Sequence, residues 1–512
     1  MTGRRQSRPV ASIGVIERPP LPWVHLYWMI ALVAGGALFA VLADHLITVR
    51  SGIGFDGRRY ALMTANFPEN LASFVSPERA WRIGPPIAVS LGLKLLGISH
   101  PGPADIVIGF RLLNLAASII GVAAWFGIAR TVRLSQAGAA FGFVALFLNF
   151  AVLRFTWIYP VLPDTSSFTV GLLLLLAYVR RKQFAVFLIG FVAAFVWQLM
   201  FITAIVMLIV PHQWSEEEKP AGSVAVWTVA GAGTIAAVIL AVTAAAGRAP
   251  YLAQQSASQP WKWGIPVASI LLAAWILGAS VPLLRRLSAL RPRDFVSRRT
   301  ALGVLASAVL FCSTLYLHQL ASAISGSGLS LSDTLDNHLA QALAAPAVFL
   351  VAHVVYLGPW LLLVIFLWGR VVRSADDHGP AFAALLLVFA LFAVGSESRH
   401  LLASIPFLAL PAAQAVDEIR LHPRWIVALG VVSLLWTRPW VDAGVVAPGR
   451  AYFMNIGPRM TLIEYAVFGA IVVAMAVGVW LVVRRTTNEL HHQQTSGCGN
   501  QNHANAAADS TP

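Results

Sequence analysis

Charge is what this sequence has least of. Only 11% of its 512 residues are charged and 58% are hydrophobic, whereas soluble domains average about 25% charged and about 45–50% apolar. A soluble chain of this length would hold about two or three domains, not so many long apolar runs. Cytosolic, nuclear and secreted globular readings are therefore excluded, which leaves a polytopic membrane protein. Lysine is nearly missing, occurring only at Lys94, Lys182, Lys219 and Lys262. Arginine carries the basic side, and with the abundant alanine this hints at a GC-rich bacterial genome. Cysteine is limited to Cys312, in an apolar run, and Cys498, in a polar tail. Neither placement points to a disulfide framework or a zinc site. The net charge of +14 is scattered among loops between apolar runs, so it reads as topology charge and not as a nucleic-acid footprint.

A membrane helix needs about 20 apolar residues, within a range of about 17–25. Candidate spans lie near residues 23–48, 105–128, 137–152, 165–179, 183–210, 222–246, 263–284, 300–322, 346–369, 380–395, 400–416, 425–438 and 462–483. Arg4, Arg5, Arg8 and Arg18 precede the first, which reads as an uncleaved signal anchor with a cytoplasmic N-terminus. The clusters Arg130/Arg133, Arg180/Arg181/Lys182, Arg285–Arg299, Arg370/Arg373, Arg420/Arg424 and Arg484/Arg485 are all expected inside. Parity then requires residues 183–210 to begin and end on the cytoplasmic side. A hairpin of two short helices turning near Trp197 and Gln198 satisfies this; the rival is one tilted helix with parity restored elsewhere. The segment from Arg82 to Gly97 is apolar but short and contains Pro85 and Pro86, so it reads as an interfacial or re-entrant helix of a large first external loop. Non-helical backbone at membrane depth is tolerated only when buried in protein or lining a cavity.

The expected architecture is all-α: a polytopic transmembrane bundle of about 13–14 membrane segments. Residues 1–22 form a cytoplasmic N-terminal segment and 23–485 the membrane domain, with 49–104 its first external loop. Residues 486–512, rich in Asn, Gln, Thr and Ala, form a cytoplasmic tail of low hydrophobicity that predicts disorder. The expected location is a bacterial plasma membrane, with both termini cytoplasmic.

This orientation gives the external side a mixed set of charges. The first loop holds Asp56, Arg58, Arg59, Tyr60, Glu69, Glu78, Arg79 and Arg82. Further along are Arg154, Tyr159 and Asp164, then Asp333, Asp336, Asn337 and His338, then Glu397, Arg399 and His400, and last Arg438, Arg450, Asn455 and Arg459. External arginines run against the positive-inside tendency, and binding an anionic group is a reason for them. The guanidinium is a rigid five-donor fork that suits phosphate; its structural alternative is pairing with a neighbouring carboxylate. Phe55-Asp56-Gly57-Arg58-Arg59-Tyr60 follows the first span. Asp56 reads either as a helix N-cap or as a surface carboxylate placed to take a proton from an acceptor hydroxyl. If Asp56 begins a helix, Arg59 and Tyr60 share its face. Asp164, after Pro163, also has an N-cap reading. The tight turn Gly395-Ser396-Glu397-Ser398-Arg399-His400 either closes on an internal Glu397–Arg399 pair or serves a site. Asp333, Asp336 and His338 have only generic metal-ligand spacing.

Taken together these features resemble the GT-C superfamily of integral-membrane glycosyltransferases, which have many spans and a large first external loop with an acidic motif just after the first span. Phe55-Asp56-Gly57-Arg58-Arg59-Tyr60 is similar to that motif. Arg82-Ile83-Gly84-Pro85-Pro86 is similar to the Arg-x-x-x-Pro element that often follows, and Pro163-Asp164 to a Pro-Asp element opening a later helix. Glu397-x-Arg399 with Pro406 is similar to the Glu-x-Arg…Pro pattern before a late span. The second acidic residue that many members carry beside the first is replaced by Gly57 and Arg58. A divalent metal is therefore left open and no metal ligand is assigned. No large soluble domain follows the last apolar run in this sequence, unlike the oligosaccharyltransferase-like branch.

The resemblance implies a polyprenyl-phosphate-linked sugar donor, a glycan, lipid or protein acceptor, and transfer to an acceptor hydroxyl with inversion on the external face. It implies Asp56 as the catalytic base and Arg58, Arg59, Arg82 and Arg399 as cations for the departing phosphate. Tyr60, Asp164, Glu397 and His400 would hold the acceptor or orient the arginines. The alternatives are a secondary transporter or lipid flippase, which would place ionisable groups at mid-membrane, and a non-catalytic envelope-assembly subunit. No internal repeat supports the transporter, and Arg111 is the clearest ionisable residue inside a span.

Overall fold

A computed structural model describes residues 19, 21–54, 56–69, 75, 77–214, 233, 264–288, 290, 292–295, 297–321, 338–339, 341–437, 460 and 462–508. The described residues form helices and loops, with no strand among them. The principal helices are α1 (Val24–Ala43), α2 (Gly57–Asn66), α3 (Gly84–Leu95), α4 (Pro103–Thr131), α5 (Gln136–Phe147), α6 (Asp164–Val179), α7 (Gln183–Ala193) and α8 (Gln198–Ile209). They continue with α9 (Ile265–Leu287), α10 (Arg298–Ala321), α11 (Val348–Leu357), α12 (Trp360–Phe366), α13 (Trp368–Asp376), α14 (Pro380–Phe392), α15 (Ile405–Glu418), α16 (Pro423–Trp436) and α17 (Leu462–Ala508).

Among the described residues five helices are long and apolar enough to cross a membrane, and a sixth span arises if the bent pair 136–147 and 151–158 is one crossing. Their outward faces carry Trp28, Leu42, Ile270, Leu305 and Val473, all exposed. Large apolar side chains on the surface, with a packed apolar interior behind them, mark helices that face lipid. The chain is a helical bundle with the character of a multi-pass membrane protein. The other apolar runs form shorter helices than the span count requires. The 346–369 run, for example, breaks at Gly358 and Pro359 into α11 and α12. Gly358 has φ +102°, a conformation glycine adopts without strain, and Pro359 cannot donate the helical hydrogen bond. The 222–246 run lies outside the described residues except for Gly233.

Residues 183–210 form the hairpin that parity asked for. α7 and α8 have 11 and 12 residues, about 17–18 Å at about 1.5 Å rise each. Neither alone covers a hydrocarbon core of about 30 Å. The chain turns back between them over 194–197, and a Cβ on Gly190 would lie 2.7 Å from the Cβ of Ala204, so the two helices are packed side by side. The segment 82–97 is likewise a short helix, α3, of 12 residues with prolines in its first turn. Its Gly84 N–H donates to Phe195 O at 2.7 Å. A side chain there would collide with that carbonyl, at 2.9 Å, which explains the glycine.

Described side chains from several of the basic clusters lie at one end of the bundle. Arg180 Nε meets Thr131 Oγ1 at 3.4 Å, Arg286 pairs with Asp376 at 3.0 Å, and Arg370 pairs with Glu418 at 2.5 Å. Asp417 accepts from Ser135 N–H at 2.8 Å and from its hydroxyl, and Ser135 Oγ caps α5 through Gly138 N–H at 3.0 Å. At the other end, Asp44 closes α1 and pairs with Arg154 at 3.2 Å, the pairing alternative for that arginine. The chain between α5 and α6 is bent there by 51° around a π turn at Ala151–Phe155. Asn149 bridges the bend, donating to Leu146 O at 2.9 Å and accepting from Val152 N–H at 3.0 Å. Residues 486–508, expected to be disordered, continue α17 as helix; no proline interrupts the stretch.

Candidate functional site

The end of the bundle opposite the basic clusters collects the polar residues. After α1 the chain crosses over Tyr159, and two glycines let it pass. Gly54 has φ +70°, and a Cβ on it would strike the Tyr159 ring. Gly57 donates its N–H to the Tyr159 hydroxyl at 3.1 Å, and a Cβ there would lie 3.1 Å from both the ring and Val161 O. Asp56, between them, precedes α2 but makes no side-chain cap to it. Its Oδ2 instead accepts from Arg399 Nη2 at 2.9 Å.

Arg399 lies on a short turn of helix, Ser398–Leu401, between α14 and α15. Its Nε donates to Glu397 Oε1 at 2.5 Å, so one guanidinium bridges two carboxylates. His400 Nε2 stands 3.5 Å from the same Glu397 oxygen. The Arg399 and Glu397 side chains are 15% and 14% exposed, whereas Asp56 is 44% exposed. The bridge is therefore anchored in the protein and presents one carboxylate outward. Burial works against ionisation of Asp56, yet Arg399 outweighs it and holds the carboxyl below its ordinary value. Burial also opposes the charge on Glu397; His400, Arg399 and Arg82 overcome it and bring that carboxyl down to about 2. Burial pushes the His400 imidazole down to about 4 against the pull of Glu397, so at neutral pH it is uncharged.

Arg82, just ahead of α3, lies with its guanidinium 4.0 Å above the Trp197 ring, and its Nη1 donates to the Tyr60 hydroxyl at 3.4 Å. Trp197 sits at the tip of the hairpin and its ring is 5.6 Å from that of His400. A cation over a desolvated indole is stabilised by about 0.5–2 kcal/mol. The hairpin tip thus joins the first loop to the Arg399 turn. Asp164 opens α6 without capping it and is 5% exposed. Burial works against the charge on its carboxyl, as does Glu397, while Arg399 and Arg82 favour it.

Asp56, Tyr60, Arg82, Asp164, Glu397, Arg399 and His400 accordingly converge. Arg58 and Arg59 do not. Both are exposed, and neither makes an ion pair among the described residues. The reason is helical phase: α2 buries Gly57, Tyr60, Ala61, Met63 and Thr64, which turns positions 58 and 59 away. Only Tyr60, not Arg59, follows Asp56 to the inner side. Phe55, Asp333, Asp336, Asn337, Arg438, Arg450, Asn455 and Arg459 lie outside the described residues. His338 is described: its ring packs 4.9 Å from Phe392 and its charge reaches His400. Among the described residues no three His, Cys, Asp or Glu side chains gather as metal ligands.

No known family, curated protein or solved structure matches this chain.

Two neighbours of the site escaped the sequence reading. His353 on α11 lies 2.7 Å (Nε2) from Ala393 O and 2.8 Å (Nδ1) from Ser398 Oγ. A carbonyl only accepts, so Nε2 carries the proton and Nδ1 accepts from the serine hydroxyl. This ties α11 to the residue between Glu397 and Arg399. Tyr356, one turn further on, is 1% exposed and lies in the field of Asp164, Arg399 and Glu397. The available signal was an i, i+3 pair of polar-tipped rings in the otherwise apolar Val348–Leu357. Behind the turn lies an apolar cavity of about 340 Å³ lined by Trp275, Leu350, His353, Phe389, Leu401 and Ile405, among others. Its wall begins one residue after His400.

Proposed function

We propose that this protein is a membrane glycosyltransferase that moves a sugar from a polyprenyl-phosphate donor to an acceptor hydroxyl on the outer face of a bacterial membrane. The observation that carries the reading is the Asp56–Arg399–Glu397 bridge: a half-exposed carboxylate fixed by a buried guanidinium. Such a carboxylate is a general base whose orientation is set before substrate arrives. Asp56 takes the proton of the acceptor hydroxyl as that oxygen attacks the anomeric carbon from the face opposite the leaving phosphate, which gives inversion. A positioned base contributes about 10²–10⁴-fold. The departing polyprenyl phosphate gains negative charge, and fixed cations stabilise that charge best where water is excluded. Arg82 and Arg399 are the cations for it; Arg58 and Arg59, on the outer side of α2, drop out of this role. The apolar cavity behind Leu401 and Ile405 suits the isoprenoid chain, since lipid-sized sites are concave and mostly apolar.

The test is Asp56→Asn in purified full-length protein, offered polyprenyl-phosphate-linked hexoses and pentoses and scored for released polyprenyl phosphate. Wild-type turnover with loss of at least a hundredfold in the variant supports the reading. Full activity in Asp56→Asn removes the base assignment. The broken α11–α12 element and the hairpin also occur in transporters; sugar-lipid translocation without hydrolysis or transfer in the same assay would favour that reading. A protein inert in both would be an assembly subunit.

A further inference from the structure

Several buried polar groups at this end of the bundle have no hydrogen-bond partner among the described residues, and three of them are Asp164 Oδ1, the Tyr356 hydroxyl and Arg82 Nε. Leaving a buried polar group unpaired costs about 1–3 kcal/mol, so three in one cluster call for a reason. They are not scattered. Tyr356 packs on Phe155, whose neighbour Thr156 shares a 2.9 Å hydrogen bond with Thr165, the residue after Asp164; Arg82 reaches the same end through Trp197, which lies against His400, and its charge acts on Asp164. Their chemistry is complementary: a carboxyl oxygen that accepts, a guanidinium N–H that only donates, and a phenol that does both. The phenol is held in place by ring contacts with Phe150 and Phe155, each with centroids 5.6 Å from its own. Its hydroxyl is thus presented by a rigid aromatic body.

We propose that Asp164, Tyr356 and Arg82 Nε–H form a buried subsite for the hydroxyl groups of a sugar ring, with the carboxylate and the phenol reading neighbouring hydroxyls. An alcohol hydroxyl donates to Asp164 and accepts from Arg82, and a second exchanges hydrogen bonds with Tyr356. This subsite deepens the glycosyltransferase reading and rests on it: the ring it holds is the sugar of the lipid-linked donor, whose phosphate lies toward Arg399. A site built to bond a hydroxyl discriminates strongly against a ligand that lacks it, because its own polar groups are then left unpaired.

The test uses full-length protein in nanodiscs and compares bare polyprenyl phosphate with polyprenyl-phosphate-linked mannose by native mass spectrometry. Wild type is expected to bind the sugar-bearing lipid at least tenfold more tightly. Tyr356→Phe keeps the ring and its packing and deletes only the unpaired hydroxyl, so it should fold at least as well as wild type. It is expected to lose most of the tenfold preference while its affinity for bare polyprenyl phosphate stays unchanged. Asp164→Asn should also lose most of the preference. If wild type binds both lipids equally, or if both variants keep the preference, the subsite is wrong and the donor reading stands. If wild type binds neither lipid, the donor reading falls and the subsite with it.

Discussion

Asp56 and Arg399 stand 343 positions apart in the chain, and their side chains meet at 2.9 Å. The contact joins the first loop to the turn between α14 and α15, and it comes from the inner of the two carboxylates' shared partner: Arg399 is held by Glu397 before it reaches Asp56. The arginine is the hub of the pair. Removing it leaves Glu397 buried without its nearest cation, and breaking a buried pair by deleting one partner typically costs about 3–5 kcal/mol. Arg399→Met should therefore lower the unfolding temperature of the detergent-solubilised protein markedly. Adding Glu397→Gln should recover part of the loss, since the stranded charge is gone. A double variant no more stable than the single one would show that the cost does not come from Glu397.

The position of Asp56 is set by the backbone on either side of it. Gly57→Ala puts a methyl group 3.1 Å from Val161 O and from the Tyr159 ring, which forces the loop outward; such crowding costs about 1–3 kcal/mol. The Gly57 N–H bond to Tyr159 lengthens with it. Turnover dependent on Asp56 should fall at least tenfold while the protein remains folded, because misplacing a catalytic group by about 1 Å can cost about a hundredfold. Tyr159→Phe, which deletes the acceptor without adding bulk, should fall less. Wild-type turnover in Gly57→Ala would mean that Tyr159 does not position the loop.

The membrane class, the all-helical architecture, the short helix after Arg82 and the hairpin at Trp197 were legible because apolar run length and charge parity are local properties. Seven of the nine candidate site residues converge for the same reason: Asp164, Glu397, Arg399 and His400 sit at the ends of apolar runs and Asp56, Tyr60 and Arg82 in the loop after the first run, and run ends and their loops come together at one end of a bundle. Arg58 and Arg59 were misread because a run end fixes the level of a residue and not the face it occupies on a ten-residue helix. Among the described residues fewer helices than expected are long enough to cross a membrane singly, because Gly358–Pro359 and similar breaks divide apolar runs without changing their hydropathy. His353 and Tyr356 were missed because a polar tip inside an apolar helix is invisible to any argument from run ends.

His353 makes a separate expectation. It bridges Ala393 O, at the end of α14, and Ser398 Oγ, between Glu397 and Arg399, and touches no other group of the site in hydrogen bonding. It acts through the turn, as a positioning residue. His353→Phe fills a similar volume and removes both bonds, leaving Ala393 O and Ser398 Oγ unpaired at about 1–3 kcal/mol each. The turnover number should fall more than the Michaelis constant rises, because the Arg399 turn loosens while the donor site keeps its lining. His353→Gln, which can donate to the carbonyl and accept from the serine, should restore most of the rate. Equal loss in both variants would assign His353 to packing alone.

The sign of the pH dependence follows from His400. Burial holds its imidazole down to about 4 in the folded protein, while in the unfolded chain it titrates near about 6.5. Between those values the unfolded chain binds a proton that the folded site does not. Stability from this group is therefore complete above about pH 6.5 and drains away as pH falls toward 4. Glu397, down to about 2, and Asp56, below its ordinary value, act in the same sense at lower pH: their contribution is present above the unfolded carboxylate value of about 4 and lost as pH falls through the folded one. The share of His400 in the loss between pH 6.5 and about 4.5 has a ceiling on the order of 3 kcal/mol, and other buried imidazoles such as His353 add to that loss in the same sense. His400→Gln keeps an N–H for Glu397 and removes the titration. Its unfolding temperature, measured from pH 7.5 to 4.5, should fall less steeply than that of wild type; parallel curves would show that His400 is already charged in the folded protein or carries no linkage to folding.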